Sequence, residues 1–483
     1  MHTPAATANE QSSTGAELRL GYVWGIAFIA ALGGLLFGYD WVVIGGAKPF
    51  YEAFFHLVTP SQIGWAMSSA LIGCLVGAIV SGILSDRFGR KRLLLLAALL
   101  FTVGSIGTGM ADTFFIFLVW RIAGGVAIGL ASNLSPMYIA EVAPGPVRGQ
   151  LVSVNQLTIV IGVLAAQVMN WLIARPVPAG ATALQILHSW NGQMGWRWMF
   201  AVTAVPSLLF LVSMLIVPES PRWLAKNGQP GRARAVLTRI GGAGFAQREL
   251  DEIEATLANE VARVDFRDLL EPKVVRILWL GIFLAVFQQW CGINVVFSYA
   301  QEVFAAAGYQ VSDILFNIVV TGATIFVFTF VAIFTVDRFG RRPLMLIGAA
   351  GLAITYFLLG LTYNVGLRGW PVLALVVIAV ACYSFSLAPI TWVVLSEIFP
   401  NRIRGAAMAV AVSALWAACF VLTYTFPFLN RGLGSAGTFW LYCAVCVTGF
   451  FVIWRKLPET KNKTLEQIER ELTGPVLAGK APG

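Results

Sequence analysis

Twelve long apolar runs follow one another along the chain, and they leave few folds open to it. About twenty residues of helix, at 1.5 Å each, cross the roughly 30 Å of hydrocarbon in a bilayer. Inside hydrocarbon every backbone polar group needs a partner within the chain, which an α-helix supplies. We therefore predict an all-α membrane protein with twelve transmembrane helices. The runs lie near residues 20–44, 62–84, 92–111, 114–138, 149–174, 196–217, 275–305, 313–336, 343–363, 371–396, 404–428 and 435–456.

Composition agrees with a membrane protein and excludes several other classes. Hydrophobic residues make up 58% of the chain and charged residues 12%, whereas soluble domains carry about 25% charged residues. The net charge of +9 does not indicate nucleic-acid binding, because Lys and Arg fall in short loops between apolar runs. The six Cys lie in apolar segments without metal-ligand spacing, so we expect packing residues and neither a metal site nor disulfides. We find no nucleophile–base pair and no nucleotide loop, so no enzyme activity or cofactor is predicted.

The positive charges predict how the chain is oriented in the membrane. Alternate loops are rich in Lys and Arg, whereas the other set holds only scattered Lys48, Arg175, Arg368 and Arg431. Because basic loops stay in the cytoplasm, we predict a multi-pass protein of the cell (inner) membrane with both termini cytoplasmic. The basic loop residues are Arg87, Arg90, Lys91 and Arg92; Arg148; Arg222; Arg338, Arg341 and Arg342; Arg402 and Arg404; and Arg455 and Lys456.

One connection, residues 218–274, is far longer than the others and divides the chain into two parts of six helices. Its segments 232–239 and 249–254 are polar on one side and apolar on the other, which predicts short amphipathic helices at the membrane surface; a flexible linker is the alternative. Residues 1–17 are polar and hold no signal peptide, so we expect a disordered tail. The predicted domains are 1–17, cytoplasmic tail; 18–217, first half; 218–274, cytoplasmic linker; 275–457, second half; and 458–483, cytoplasmic tail.

The two halves repeat the same loop motifs in the same order. Three ordered matches, about 250 residues apart, indicate internal duplication and hence two related halves. The matched motifs are Ser85-Asp-Arg-Phe-Gly-Arg-Lys-Arg92 with Val336-Asp-Arg-Phe-Gly-Arg-Arg342, Glu141-Val-Ala-Pro-Gly-Pro-Val-Arg-Gly149 with Glu397-Ile-Phe-Pro-Asn-Arg-Ile-Arg-Gly405, and Pro218-Glu-Ser-Pro-Arg222 with Pro458-Glu-Thr-Lys461.

On these motifs, the chain resembles the sugar porter family of the major facilitator superfamily. It is similar to bacterial proton-coupled xylose symporters and to animal facilitative glucose transporters, from about residue 20 to 470. The resemblance implies two pseudo-symmetric six-helix halves, with a substrate site between them that opens to one side of the membrane at a time. It also implies that the charged residues of the loop motifs close the cytoplasmic side while the site faces outward. These residues are Asp86, Arg90, Glu141, Arg148, Asp337, Arg341, Glu397 and Arg404.

A polar stretch inside the seventh apolar run is the candidate binding site. Gln288, Gln289 and Asn294 lie where a lipid-facing helix would tolerate none of them, so they must face protein, water or a ligand. On an ideal helix Gln289 and Asn294 would point about 140° apart. A break near Gly292, which the family resemblance implies, would let both reach one sugar; bonding to neighbouring helices is the alternative.

The first half offers a polar stripe on the fifth helix, where Gln156, Gln167 and Asn170 return to nearly the same face at offsets of about 20° and −40°. This stripe is predicted to face the cavity. By resemblance, Gln156 matches a sugar-binding Gln, and Trp392 and Trp416 match aromatic positions that cover a sugar ring. Phe37 is expected to add an apolar contact.

The chain departs from the family pattern at three neighbouring positions. Ser298 stands where related symporters often carry a second Tyr, Ile325 where they carry Asn, and Leu415 where they carry an amide. These departures leave two further substrates open, a different monosaccharide or a polyol.

Asp40 and Arg121 are predicted to couple transport to protons. Because cytoplasmic and external loops alternate along the chain, both residues are placed in the external part of the helix bundle. A carboxylate inside the membrane indicates a functional site, because burying its charge is costly. A static ion pair is the alternative. By resemblance, proton-coupled members keep Asp at this position, whereas a second carboxylate of some xylose symporters is replaced here by Thr203.

The resulting expectation is a proton-coupled symporter that imports a pentose or hexose such as xylose or glucose. A facilitative sugar uniporter is the main alternative, and a non-transporting sugar sensor is a third. The expected partners are the monosaccharide, the proton and the lipid bilayer, with the chain acting as a monomer.

Overall fold

The structure is a computed structural model that describes residues 18–258, 269, 271–399, 403–461, 463 and 467–468, apart from the side chains of Ala258, Lys273 and Asp337. Within these residues the secondary structure is helical and contains no strand. The predicted tail 1–17, most of the tail 458–483, Arg402 and the side chain of Asp337 lie outside what is described.

Six helices long and apolar enough to cross a membrane form the first half, and six form the second. In order, membrane helices 1 to 6 are Leu20–Phe54, Pro60–Phe88, Arg90–Gly109, Phe114–Val142, Gly145–Ile173 and Asn191–Ile216. Membrane helices 7 to 10 are Val274–Ser298, Val311–Phe339, Arg341–Val365 and Trp370–Ile398. Helices 11 and 12 are one run, Arg404–Lys456, which turns at Gly434, where φ is 67°. The predicted twelve spans are thus present in the described part of the chain.

Several of these helices differ from the predicted runs because the backbone breaks inside them. Helix 7 is interrupted after Trp290, and helix 10 is divided at Ser386 into Trp370–Phe385 and Leu387–Ile398. Helix 1 extends beyond the predicted end near residue 44 to Phe54. As a result Lys48, expected among scattered loop charges, lies inside a helix and is buried.

Glycines set the distance between the helices of the first half. A Cβ atom on Gly125 would overlap the carbonyl oxygen of Ala70, so helices 2 and 4 touch backbone to backbone. Helices 1 and 5 touch in the same way, since a Cβ on Gly38 would overlap the carbonyl oxygen of Ile159. Between membrane helices the hydrophobic effect adds little, and close contact of small residues supplies the packing energy.

The connection between the halves contains the helices Pro221–Lys226 and Pro230–Ala258, the second bent at Gly242, where φ is 78°. These helices pack on the end of the first half that carries Arg90. The indole Nε1 of Trp223 donates to the carbonyl oxygen of Asp86 at 2.9 Å. We call this end of the bundle, which carries Arg90 in one half and Arg341 in the other, the basic end.

Candidate functional site

Helix 7 breaks at Gly292, where the family resemblance implied a break. The helix Pro272–Trp290 ends two residues before it, and a short helix Ile293–Ser298 follows. Gly292 has φ 88° and ψ −8°, a left-handed conformation that residues with a Cβ rarely adopt. A Cβ there would also lie 2.8 Å from Cγ of Tyr442. Glycine is therefore required twice, by the backbone angle and by the neighbouring ring.

The break brings the three predicted amides into one hydrogen-bonded chain, here called the amide chain. Nδ2 of Asn294 donates to Oε1 of Gln289, and Nε2 of Gln289 donates to Oε1 of Gln288 at 2.5 Å. Nε2 of Gln288 donates in turn to the hydroxyl of Tyr383 at 2.8 Å. All three amides are at most 6% exposed. Their polar atoms thus satisfy one another inside an otherwise apolar region, as buried polar groups must.

Tyr383 was not among the predicted site residues, although it ends the amide chain. It lies on helix 10, close to the break at Ser386. The backbone of Ser386, with φ −125° and ψ −89°, interrupts that helix much as Gly292 interrupts helix 7. Pro389 was the available signal, because a proline has no N–H to bond the carbonyl group four residues earlier, that of Phe385, and its ring clashes with that carbonyl.

The predicted polar stripe on helix 5 is only partly correct. Gln156 is half-buried, but Asn170 is fully buried and donates through Nδ2 to the carbonyl oxygen of Val43 at 2.9 Å. Gln167, 1% exposed, packs against Gly322 of helix 8. Asn170 is therefore used between helices, whereas Oε1 of Gln167 has no hydrogen-bond partner in the described structure. Angular position on one helix could not show this, since the neighbours decide it.

Aromatic rings of the two halves lie together at the interface between them. The ring of Trp416 is 6.1 Å from that of Phe37 and 5.7 Å from that of Trp41, measured between centroids. Trp416 is buried, and within the described residues its Nε1 has no hydrogen-bond partner. Trp41 was not predicted. Trp392, in contrast, is 39% exposed.

The three positions that depart from the family pattern have different surroundings. Leu415 is buried in the core beside Trp416, and Ile325 is half-buried on helix 8. Ser298 is 9% exposed and borders a cavity of about 20 Å³ that Asp40, Arg121 and Thr423 also line. The small serine side chain thus lies beside the predicted coupling pair.

Asp40 and Arg121 form a buried ion pair in the first half. Nη1 of Arg121 donates to Oδ1 of Asp40 at 2.9 Å and to Oδ2 at 3.1 Å. The two residues are 5% and 3% exposed, respectively. The guanidinium also lies 5.3 Å from the ring centroid of Phe200, and its Nε has no partner in the described structure. Charges this deeply buried require pairing, which the geometry supplies.

At the basic end, the predicted charges pair between neighbouring helices of one half. Nη2 of Arg90 lies 2.9 Å from Oε1 of Glu141, and Nη1 lies 3.3 Å from Oδ1 of Asp86. In the second half, Nη2 of Arg341 lies 3.2 Å from Oε1 of Glu397. The same arrangement in both halves agrees with the duplication of the motifs.

Arg148 and Arg404, the other two arginines predicted to close the cytoplasmic side, bind backbone carbonyl groups. Nε of Arg148 donates to the carbonyl oxygen of Ala143 at 3.2 Å, and Nε of Arg404 donates to that of Phe399 at 3.3 Å. Each arginine thus binds the backbone just beyond a helix end, where carbonyl groups lack intrahelical partners.

Sequence reasoning did not assign a role to Glu219 and Glu459, which occupy equivalent positions at the basic end. Oε1 of Glu219 accepts from the backbone N–H groups of Arg90 and Lys91, and Glu459 accepts from those of Arg341 and Arg342. Each carboxylate therefore binds the N-terminus of a membrane helix, where negative charge is favoured. The repeated Pro-Glu at the close of each half was the signal that could have found them.

Within the described residues, several polar contacts join the two halves at the end opposite the basic end. Nζ of Lys48 contacts Oε1 of Glu302 at 2.5 Å, and the hydroxyls of Ser61 and Tyr424 are 3.2 Å apart. Two loop contacts add to these: Val177 N–H donates to Ser312 Oγ at 3.1 Å, and Gly180 N–H donates to Gln310 Oε1 at 3.0 Å.

Two duplicated halves of six membrane helices, with a polar site at broken helices, define a transporter of the major facilitator superfamily. The chain belongs to the sugar (and other) transporter family, whose model matches residues 26–472. It is 39% identical to the D-xylose-proton symporter of Escherichia coli, over 93% of this chain and 95% of that one. It is 40% identical to the glucose transport protein of a Synechocystis species, over 92% and 96%. These relatives are transporters and not enzymes.

The fold is also that of a solved transporter. The inward open conformation of the xylose transporter XylE from Escherichia coli superposes with a TM-score of 0.81 at 38% identity, covering 93% of this chain and 100% of that one. The expected class, sugar transporter of the major facilitator superfamily, is therefore confirmed.

Proposed function

We propose that the chain is a proton-coupled symporter that imports a monosaccharide, a pentose or hexose such as xylose or glucose, by alternating access. The observation that carries the proposal is the buried Asp40–Arg121 pair, which shares the small cavity beside Ser298 with the helix that holds Asn294. A titratable carboxylate of the first half thus lies beside the short helix of the second half that carries one of the buried amides.

Sugar binding is assigned to the amide chain together with Gln156 and the aromatic residues Phe37, Trp392 and Trp416. Amide groups can exchange their mutual hydrogen bonds for bonds to sugar hydroxyls, and flat rings cover the C–H face of a pyranose. The buried Nε1 of Trp416, which has no partner among the described residues, supplies a further donor. Micromolar to millimolar sugar affinity corresponds to only about 4–8 kcal/mol, which a few such contacts provide.

Coupling is assigned to protonation of Asp40. A protonated Asp40 carries no charge and releases its hold on Arg121, so the stability of the pair depends on whether the proton is bound. One proton moving through about 100 mV releases about 2.3 kcal/mol, enough to concentrate a neutral sugar roughly fiftyfold. Both termini are assigned to the cytoplasm, so the basic end faces inward.

The structure corresponds to an inward-facing state in this proposal. The contacts between the halves at the external end support that assignment, as does the similarity to the inward open XylE structure. In the outward-facing state, the charged motif residues at the basic end would close the cytoplasmic side by pairing across the halves. Within each half these charges are already held in place by Arg90–Glu141 and Arg341–Glu397.

A facilitative uniporter is the second candidate, and Thr203 is the observation that favours it. This residue is fully buried and neutral, where some xylose symporters carry a second carboxylate. A uniporter would keep the sugar site and the alternating access but would move sugar only down its gradient.

Transport in proteoliposomes separates the two functions. A counterflow screen with glucose, xylose, galactose, arabinose and inositol first identifies the substrate. Wild type is then expected to accumulate that sugar under a pH gradient, with loss on addition of a protonophore. Asp40→Asn is expected to abolish accumulation and keep counterflow. If Asp40→Asn still concentrates the sugar, Asp40 is not the coupling site; if wild type never does, the protein is a uniporter.

A further inference from the structure

A buried lysine joins the two halves at their external end. Nζ of Lys48 lies 2.7 Å from Oε1 of Glu52 and 2.5 Å from Oε1 of Glu302. Lys48 is 2% exposed, while the side chains of Glu52 and Glu302 are 16% and 25% exposed. We call these three residues the outer ion cluster. A buried ammonium group is tolerated only with such partners, so the cluster is required in this conformation.

The two carboxylates of the outer ion cluster belong to different moving parts. Lys48 and Glu52 are four residues apart on helix 1, so they stay neighbours whatever the halves do. Glu302 lies in the second half, on the short helix Ala300–Ala306 that follows helix 7. Within the outer ion cluster, separation of the halves therefore breaks the Lys48–Glu302 contact and leaves the Lys48–Glu52 contact in place. Lys48 keeps one carboxylate throughout, which limits the cost of opening.

The same region is closely packed below the cluster. One turn before Lys48, a Cβ on Gly45 would lie 2.6 Å from the carbonyl oxygen of Phe297, so helix 1 and the outer part of helix 7 meet at their backbones. Nζ of Lys48 lies 5.6 Å from the ring centroid of Tyr299, whose hydroxyl donates to the carbonyl oxygen of Thr423 at 2.6 Å. The lysine thus covers the point where helices 1, 7 and 11 meet.

The cluster is also connected to the sugar site through a short stretch of chain. Asn294, the end of the amide chain, is four residues before Ser298, which in turn is four residues before Glu302. The two short helices Ile293–Ser298 and Ala300–Ala306 follow each other directly across Tyr299. A shift of this segment on sugar binding would therefore move Glu302 relative to Lys48.

From this geometry we infer that Lys48 and Glu302 form the external gate of the transporter, and that their contact sets how often the site opens outward. This inference rests on the proposed function for its meaning, since a gate matters only in alternating access. It goes beyond that function because it assigns the closing of the external end to an ion pair that contacts neither the sugar nor Asp40.

The gate is tested by external accessibility, which requires no substrate and no proton gradient. Ser298→Cys, in a background without the six native cysteines, reports on opening because Ser298 is buried beneath the cluster in the closed state. Labelling by a membrane-impermeant thiol reagent on intact cells is measured. Adding Lys48→Met or Glu302→Gln is expected to raise the labelling rate about tenfold, because a contact that favours the closed state is lost.

Two controls make the result specific. Arg197→Gln removes the external ion pair of Arg197 with Asp112, 2.8 Å apart, which lies wholly within the first half and should leave labelling unchanged. The Lys48→Glu/Glu302→Lys double variant restores opposite charges across the interface and should restore slow labelling. Glu302→Gln is the milder change, so its labelling rate is the test of the gate if the Lys48→Met variant does not reach the membrane.

Unchanged labelling in Glu302→Gln would overturn the inference, and so would an equal rise in Arg197→Gln. These outcomes leave the proposed function untouched, because sugar accumulation is measured separately. Conversely, a uniporter that failed to accumulate sugar would still be expected to show the gate.

Discussion

The middle of the amide chain offers the sharpest test of the sugar site. Gln289 takes part in two of the hydrogen bonds of the chain, one to Gln288 at 2.5 Å and one from Asn294. Gln289→Met keeps the length of the side chain and removes both. Oε1 of Gln288 then loses its partner, and Nδ2 of Asn294 keeps only the weak contact to Sγ of Cys419 at 3.8 Å, while both residues remain at most 5% exposed.

The expected loss follows from the cost of unsatisfied buried groups. A buried donor or acceptor without a partner costs about 1–3 kcal/mol, and the sugar hydroxyls would lose the amide that aligns the other two. We expect sugar affinity to weaken by about 1.4–2.8 kcal/mol, which is about 10- to 100-fold in Kd. Isothermal titration with the sugar selected by counterflow measures the change directly.

Gln167→Met is the matched control, because Gln167 is an equally buried amide that packs against Gly322 and not within the amide chain. Its Kd should stay within about threefold of wild type, which is about 0.6 kcal/mol. A Gln289→Met protein that binds the sugar with wild-type affinity, while remaining folded by size-exclusion chromatography, would show that the amides only join helices and that the sugar binds elsewhere.

Two further predictions concern the break in helix 7 and the linker. Gly292→Ala should lower both thermal stability and sugar affinity, because left-handed backbone costs an L residue about 1–2 kcal/mol and the new Cβ meets Tyr442; Gly308→Ala, at φ 86° but outside the amide chain, should lower stability alone. Burial, and then the neighbouring Glu252, raise the pKa of Glu249 on the linker helix. The folded state then holds this proton more tightly than the unfolded chain, so stability falls as pH rises from the ordinary carboxyl pKa to the raised one. Glu249→Gln should therefore raise Tm at pH 7 by about 1–2 °C and leave it nearly unchanged at acid pH, by differential scanning fluorimetry; an equal gain at both pH values would contradict the assigned shift.

Much of the architecture could be predicted from the order of the residues. Twelve apolar runs determined the class and number of membrane helices, since hydrocarbon leaves the backbone no other partner than its own helix. The repeated loop motifs determined the division into two halves. A straight helix could not aim the amides at one point, and the family resemblance implied a break near Gly292, where the structure has it.

Other features required the tertiary structure, because periodicity gives the direction of a side chain around its own helix and not the identity of the neighbour it meets. Asn170 was predicted to face a cavity and instead bonds the backbone of Val43. Tyr383 ends the amide chain from a helix almost a hundred residues away, which no local pattern could reveal.

Lys48 shows the difference most clearly. In the sequence it is a single basic residue after an apolar run, and it was predicted to lie in a loop. In the structure helix 1 continues through it, and the second half supplies Glu302 as a partner 254 residues away. The sequence by itself determined which segments cross the membrane, because that depends on local apolarity. Only the packing of the two halves decided which charges are buried and paired, because burial and pairing depend on what lies across the interface.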